Sequence, residues 1–85
     1  MNRDDALGRV EAIVVKIAGP HRTPADVGVD TALGEGGFWL DSLGLLEVII
    51  ACEDEFGIVF GSGPDFNPES LRSLGSLAEL VRRKS

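Results

Sequence analysis

Leu40-Asp41-Ser42-Leu43-Gly44-Leu45-Leu46-Glu47-Val48-Ile49-Ile50-Ala51-Cys52-Glu53-Asp54-Glu55-Phe56 is the stretch whose reading decides the fold. Leu45, Val48, Ile49, Cys52 and Phe56 recur at the spacing of one helical face, so the stretch predicts a helix over 42–56 with that face in the core. Asp41 and Ser42 both carry a side-chain oxygen suited to an orphaned N–H of the first turn, and either can cap it. Gly57 is the expected breaker. Leu46 and Ile50 fall off the centre of the buried face, among Glu47, Glu53 and Asp54. They are either a partner surface or the flank of a broad buried stripe, and the spacing allows both.

Outward from this helix, the chain reads as all-α. Leu7, Val10, Val14 and Ile17, widened by Ile13, predict a first helix over 4–18, with Asn2 or Asp4 as cap and Gly19-Pro20 as its end. Residues 20–40 form a long connection in which Val27, Val29, Leu33, Phe38 and Trp39 are scattered apolar anchors. Thr31-Ala32-Leu33-Gly34 has the makings of a short helical turn. Gly34, Gly36 and Gly37 are not a phosphate cradle, since no Gly-Lys-Ser/Thr follows and no strand precedes. They read as turn-formers that let Phe38 and Trp39 fold back on the core. Ile58-Val59-Phe60 is too short to anchor a sheet, and Gly61-Ser62-Gly63-Pro64 is a loop. Asn67-Pro68-Glu69 opens a short helix over 68–72. A last helix over 74–83 buries Leu74, Leu77, Ala78 and Val81. Ser73 is its cap, although Ser76 with Glu79 also has capping-box spacing. The expected architecture is a small four-helix bundle, three main helices plus the short third one, in a single domain spanning 1–85.

Size and composition narrow the function. A chain of 85 residues has room for one small core and little for an enclosed catalytic cleft. Its 44% hydrophobic content is too high for a disordered tail. The single cysteine forms no internal disulfide, and Cys52 reads as a small buried hydrophobe. His21 and Cys52 do not make a metal site. Met1-Asn2-Arg3-Asp4-Asp5 lacks a signal-peptide layout, and no apolar run is long enough to span a bilayer. A cytoplasmic, monomeric protein is the expectation.

The net charge is −6, and it is unevenly spread. All eight basic residues lie in Arg3, Arg9, Lys16 and Arg22, or in Arg72, Arg82, Arg83 and Lys84; from Thr23 to Leu71 there are ten acids and no base. This field repels nucleic-acid phosphates and anionic lipid and attracts basic partners, although a merely solvated face would look the same. Ser42 as a nucleophile would need a base. The one histidine, His21, lies far upstream in a Pro-rich loop, and Gly-x-Ser-x-Gly is absent. No catalytic residue is expected. By residue chemistry alone, Ser42 is most simply a helix cap.

Leu40-Asp41-Ser42-Leu43, followed by Glu47 and then by Glu53-Asp54-Glu55-Phe56-Gly57, closely resembles the acyl carrier protein family. The likeness covers nearly the whole chain, from the first helix through the long loop to the last helix. It implies that Ser42 receives 4'-phosphopantetheine covalently from coenzyme A, through a phosphopantetheinyl transferase that uses Mg²⁺. The arm's terminal thiol would then carry an acyl group as a thioester. Asp41 and Leu43 match the residues flanking the attachment site. Leu46, Glu47, Ile50, Glu53 and Asp54 match a docking face for acyl-loading and condensing enzymes with basic patches. Val48, Cys52 and Leu71 would line a groove that shelters a growing chain. Many fatty-acid carriers have an acid two residues after the serine, where this chain has Gly44. Together with the bulky Phe38-Trp39, that points to a discrete carrier of a specialised pathway such as polyketide assembly, or to fatty-acid-type synthesis. A peptidyl or aminoacyl carrier of the same fold is the nearest alternative, and an unmodified helical adaptor the second.

Overall fold

The computed structural model describes residues 2–60 and 68–84. Among these it is all-helical: α1 is Arg3–Ala18, α2 is Ser42–Phe56, a short 3-10 helix is Pro68–Leu71 and α3 is Leu74–Lys84. The described residues hold no strand, only an isolated antiparallel bridge between Ala32 and Ser73. The expected Gly61–Pro64 loop and the Asn67 cap lie outside the described residues.

α1 lies against both α2 and α3. Asn2 caps it by accepting from the Asp5 N–H at 2.8 Å, and Gly19, at φ 83°, ends it by donating to the Val15 carbonyl. Its fully buried positions are Ala6, Val10, Val14 and Ala18, one every four residues, with Leu7, Ile13 and Ile17 half-buried beside them. The core stripe is therefore rotated from the expected Leu7-centred one. Alanine at two of the four positions lets neighbouring helices come close, so the larger side chains pack around the rim.

The connection over 19–41 is held by its backbone. The Thr31 carbonyl accepts from Leu74, the Val29 carbonyl accepts from Gly75 at 2.8 Å, and the Leu33 N–H donates to the Arg72 carbonyl. Thr31-Ala32-Leu33-Gly34 is thus not a helical turn but a segment paired to the start of α3. Its Thr31 carbonyl is taken by that helix, and its Ala32, Leu33 and Gly34 carbonyls accept from residues 37–40. Leu33 and Phe38 enter the core without exposed surface. Gly37 sits so tightly on Ala32 that any Cβ there would strike its carbonyl oxygen, which is why this tight turn requires glycine.

Trp39 departs from expectation. It is 58% exposed and does not fold back on the core. Its flanking neighbours Phe38 and Leu40 are both buried. Their N–H groups bond Ala32 and Leu33 carbonyls, while the Trp39 N–H donates to the Gly34 carbonyl at 2.8 Å. To bury both neighbours the chain turns through a left-handed conformation at Trp39, φ 55°, the one non-glycine residue with positive φ among the described residues. For an L-residue this costs about 1–2 kcal/mol.

The third helix is 3-10 rather than α, and after Arg72 it is followed by Ser73. Ser73 caps α3: its hydroxyl accepts from the Ser76 N–H at 3.2 Å, and the Ser76 hydroxyl accepts from the Ser73 N–H at 2.9 Å. This is a capping box with serine in the place usually held by Glu, which leaves Glu79 out of the start. α3 buries Leu74, Leu77, Ala78 and Val81, and Leu80 as well. After α2, Ile58 and Phe60 turn inward while Val59 stays 77% exposed. No helix among the described residues is long and apolar enough to cross a membrane.

Candidate functional site

The site is built from the first turn of α2 outward. Leu40 is buried and folds back over Gly44, where an added Cβ would stand 3.1 Å from the Leu40 Cδ2 atom. With no side chain in the way, the Asp41 carboxylate accepts from the Gly44 N–H at 2.8 Å. The Asp41 carbonyl accepts from Leu45 at 2.9 Å, as an N-cap carbonyl does. The cap is therefore Asp41, and Ser42 is the first helical residue. A side chain at position 44 would crowd the Leu40 side chain.

This division of labour frees the serine. Ser42 is exposed, and its hydroxyl makes no hydrogen bond among the described residues. Neither His21 nor any acid bonds it, so nothing described here activates it as a nucleophile. It stands at the positive end of a 15-residue helix, where backbone N–H groups and the helix dipole favour an anion. A phosphate attached at Ser42 fits this position, because the hydroxyl points to solvent and the adjoining carboxylate is already engaged with Gly44. Leu43, beside it, is 64% exposed.

Below the serine, Leu46 and Ile50 are 50% and 55% exposed, which decides between their two sequence readings in favour of an outward position. Gly44, Val48 and Cys52 are the fully buried residues of α2, with Leu45, Ile49 and Phe56 half-buried. A shallow open depression of about 540 Å³ is lined by Glu47, Ile50, Ala51, Glu53 and Asp54. The structure thus brings together four of the five expected docking residues, with Leu46 exposed nearby on the same helix.

The acids differ in their duties. Glu53, half-buried, accepts from the Phe60 N–H at 3.0 Å and so ties down the chain after α2. Glu55 pairs with Arg9 of α1 at 2.8 Å, and the same guanidinium lies 4.5 Å from the centre of the Phe56 ring. Glu47 and Asp54 are exposed and have no ion-pair partner among the described residues. Asp54 sits near the negative end of the helix, where an acid is unfavourable by about 0.3–1 kcal/mol.

One sequence expectation finds no support here. Val48 and Cys52 have no exposed surface, so among the described residues these two belong to the core and do not line an open groove, while Leu71 is half-buried beside it. Burial, helped by the nearby Glu55 charge, pushes the Cys52 thiol up to about 12. It stays protonated at neutral pH and is not a nucleophile. No group of three or more metal-ligating side chains occurs among the described residues. Sequence reasoning missed Trp39 as an exposed neighbour of the site; its indole stands on the surface three residues before Ser42.

Comparison with family models, with curated proteins and with solved structures found no match.

Proposed function

We propose that the chain is a discrete acyl carrier protein that presents acyl groups on a phosphopantetheine arm at Ser42 to biosynthetic enzymes. The observation that carries this reading is the exposed, unbonded Ser42 hydroxyl at the head of α2, with the capping duty taken by Asp41. A serine retained only as a cap would make the bond that Asp41 makes here. The adaptor reading is weakened to that extent, although it is the outcome to beat.

In the loading step Ser42 Oγ attacks the pantetheine-side phosphorus of coenzyme A within the transferase. The pyrophosphate bond breaks, a phosphodiester to Oγ forms, the bisphosphorylated adenosine leaves, and the hydroxyl proton passes to a base of the transferase. The bound arm supplies a thiol that holds an acyl group as a thioester. The protein's own residues do the rest. Asp41 closes the helix start so that Ser42 faces outward. The dipole of α2 favours the phosphodiester charge. Leu43, Leu46 and Ile50 offer apolar contacts, and Glu47 and Asp54 offer unpaired charge to basic patches on loading and condensing enzymes. Glu53 contributes to that field while holding Phe60.

The four-helix carrier arrangement, with the 3-10 segment as its short third helix and residues 19–41 as its long loop, belongs to the same proposal. So does a specialised cargo of polyketide type, which Gly44 and the Phe38-Trp39 pair favour over the housekeeping fatty-acid role.

Incubation with coenzyme A and a broad-range phosphopantetheinyl transferase tests the reading. The intact mass should rise by one phosphopantetheine, and Ser42→Ala should abolish the rise. No addition to the wild type by a transferase shown to be active would discard it.

A further inference from the structure

We infer that Trp39 is a contact residue for the group carried on Ser42, its indole forming an apolar shelf on which the pantetheine part of the arm lies. The inference rests on the carrier reading and adds to it a residue outside the docking helix.

Three observations lead to it. The ring is 58% exposed, so its apolar area is not used in the core. Its backbone is nevertheless fixed. The N–H groups of Phe38, Trp39 and Leu40 all donate to carbonyls of residues 32–34, and the side chains on both sides are buried. The indole is thus held outward on a rigid segment in a left-handed conformation that tryptophan rarely adopts. Such a conformation persists only where the surrounding structure over-determines it, and it is a pointer to function.

Position selects the occupant. Three residues of chain span at most about 11 Å, so any group on Ser42 is never far from the ring. The pantetheine chain is longer than this span, and tethering keeps it at high effective concentration beside the indole. Its geminal methyl groups and flat amides suit the face of an indole. The alternative path along α2 leads past Glu47, Glu53 and Asp54. Residues 36–40, Gly-Gly-Phe-Trp-Leu, carry no charge at all. The one acid between Trp39 and Ser42, Asp41, is engaged by the Gly44 N–H, so a neutral, partly apolar chain is better accommodated over Trp39 than along the unpaired acids of α2.

Trp39 is the chain's single tryptophan, so its emission reports this site alone. The wild-type protein is loaded with coenzyme A and a transferase, and intact mass and indole fluorescence are followed together. On loading, emission should move to shorter wavelength, and quenching by acrylamide should fall about two-fold, as expected when a chain covers one face of the ring. In the loaded protein, indole ring protons should show nuclear Overhauser contacts to the geminal methyls of the arm. A mass increase with unchanged emission, unchanged quenching and no such contacts overturns the Trp39 assignment and leaves the carrier reading standing. Absence of any mass increase overturns both.

Discussion

α2 and α3 spend their apolar residues in opposite ways. α3 has 11 residues and buries five of them, Leu74, Leu77, Ala78, Leu80 and Val81. α2 is longer and richer in large aliphatics, yet it fully buries only Gly44, Val48 and Cys52. Its Leu43, Leu46 and Ile50 face outward. The helix ends differ too. α3 closes with Arg82, Arg83 and Lys84, which suit its negative end, whereas α2 closes with Glu53, Asp54 and Glu55, which oppose it. The chain offsets two of those acids by other means, through Phe60 and Arg9. Packing and dipole together account for α3. For α2 they leave three exposed aliphatics and the unpaired Glu47 and Asp54 without a stabilising role, and these are the residues assigned to partners.

The largest test of that contrast is in the cores. Leu77→Ala in α3 should destabilise by about 2–5 kcal/mol, the usual range for a fully buried leucine. Leu46→Ala and Ile50→Ala in α2 should each stay within about 0.5 kcal/mol. Urea unfolding of the three variants measures this, and a loss at Leu46 or Ile50 comparable to that at Leu77 would mean that they are core. Next in size is the start of α2. Asp41→Ala should cost about 1 kcal/mol, the value of a lost N-cap, while Ser42→Ala should leave thermal stability nearly unchanged. The reverse order would return the cap to Ser42 and remove the main support for a free hydroxyl. The smallest effect concerns Asp54. Asp54→Asn should raise stability by a few tenths of a kcal/mol, because an unfavourable charge leaves the helix end. In the same variant, turnover by a loading or condensing enzyme with a basic patch should fall. Unchanged turnover there and in Glu47→Gln would discard the docking role of these acids.

Much of this was legible in the residues. Helical spacing with glycine and proline breaks foretold the all-helical class, and the inward positions of α3 followed from its apolar period. What was not legible depended on tertiary backbone contacts. Asp41 and Ser42 are both good caps by chemistry, and only the burial of Leu40 against Gly44 decides between them. Trp39 is as apolar as Phe38, and only the carbonyls of Ala32, Leu33 and Gly34 turn it outward. The groove expected at Val48 and Cys52 failed because α2 turns these side chains, the largest apolar pair on its inner face without exposed surface, into the core itself. Leu46 and Ile50 stood evenly between two readings in sequence, because α2 is apolar on too many sides for periodicity to say which face α1 covers.

The central claim is that Ser42 is an attachment point, and peptide mapping by mass spectrometry of the protein isolated from its own cells tests it most directly. The account predicts a phosphopantetheine, free or acylated, on the peptide that contains Ser42. Protein in which Ser42 is unmodified throughout, or in which the group sits on another residue, would contradict it.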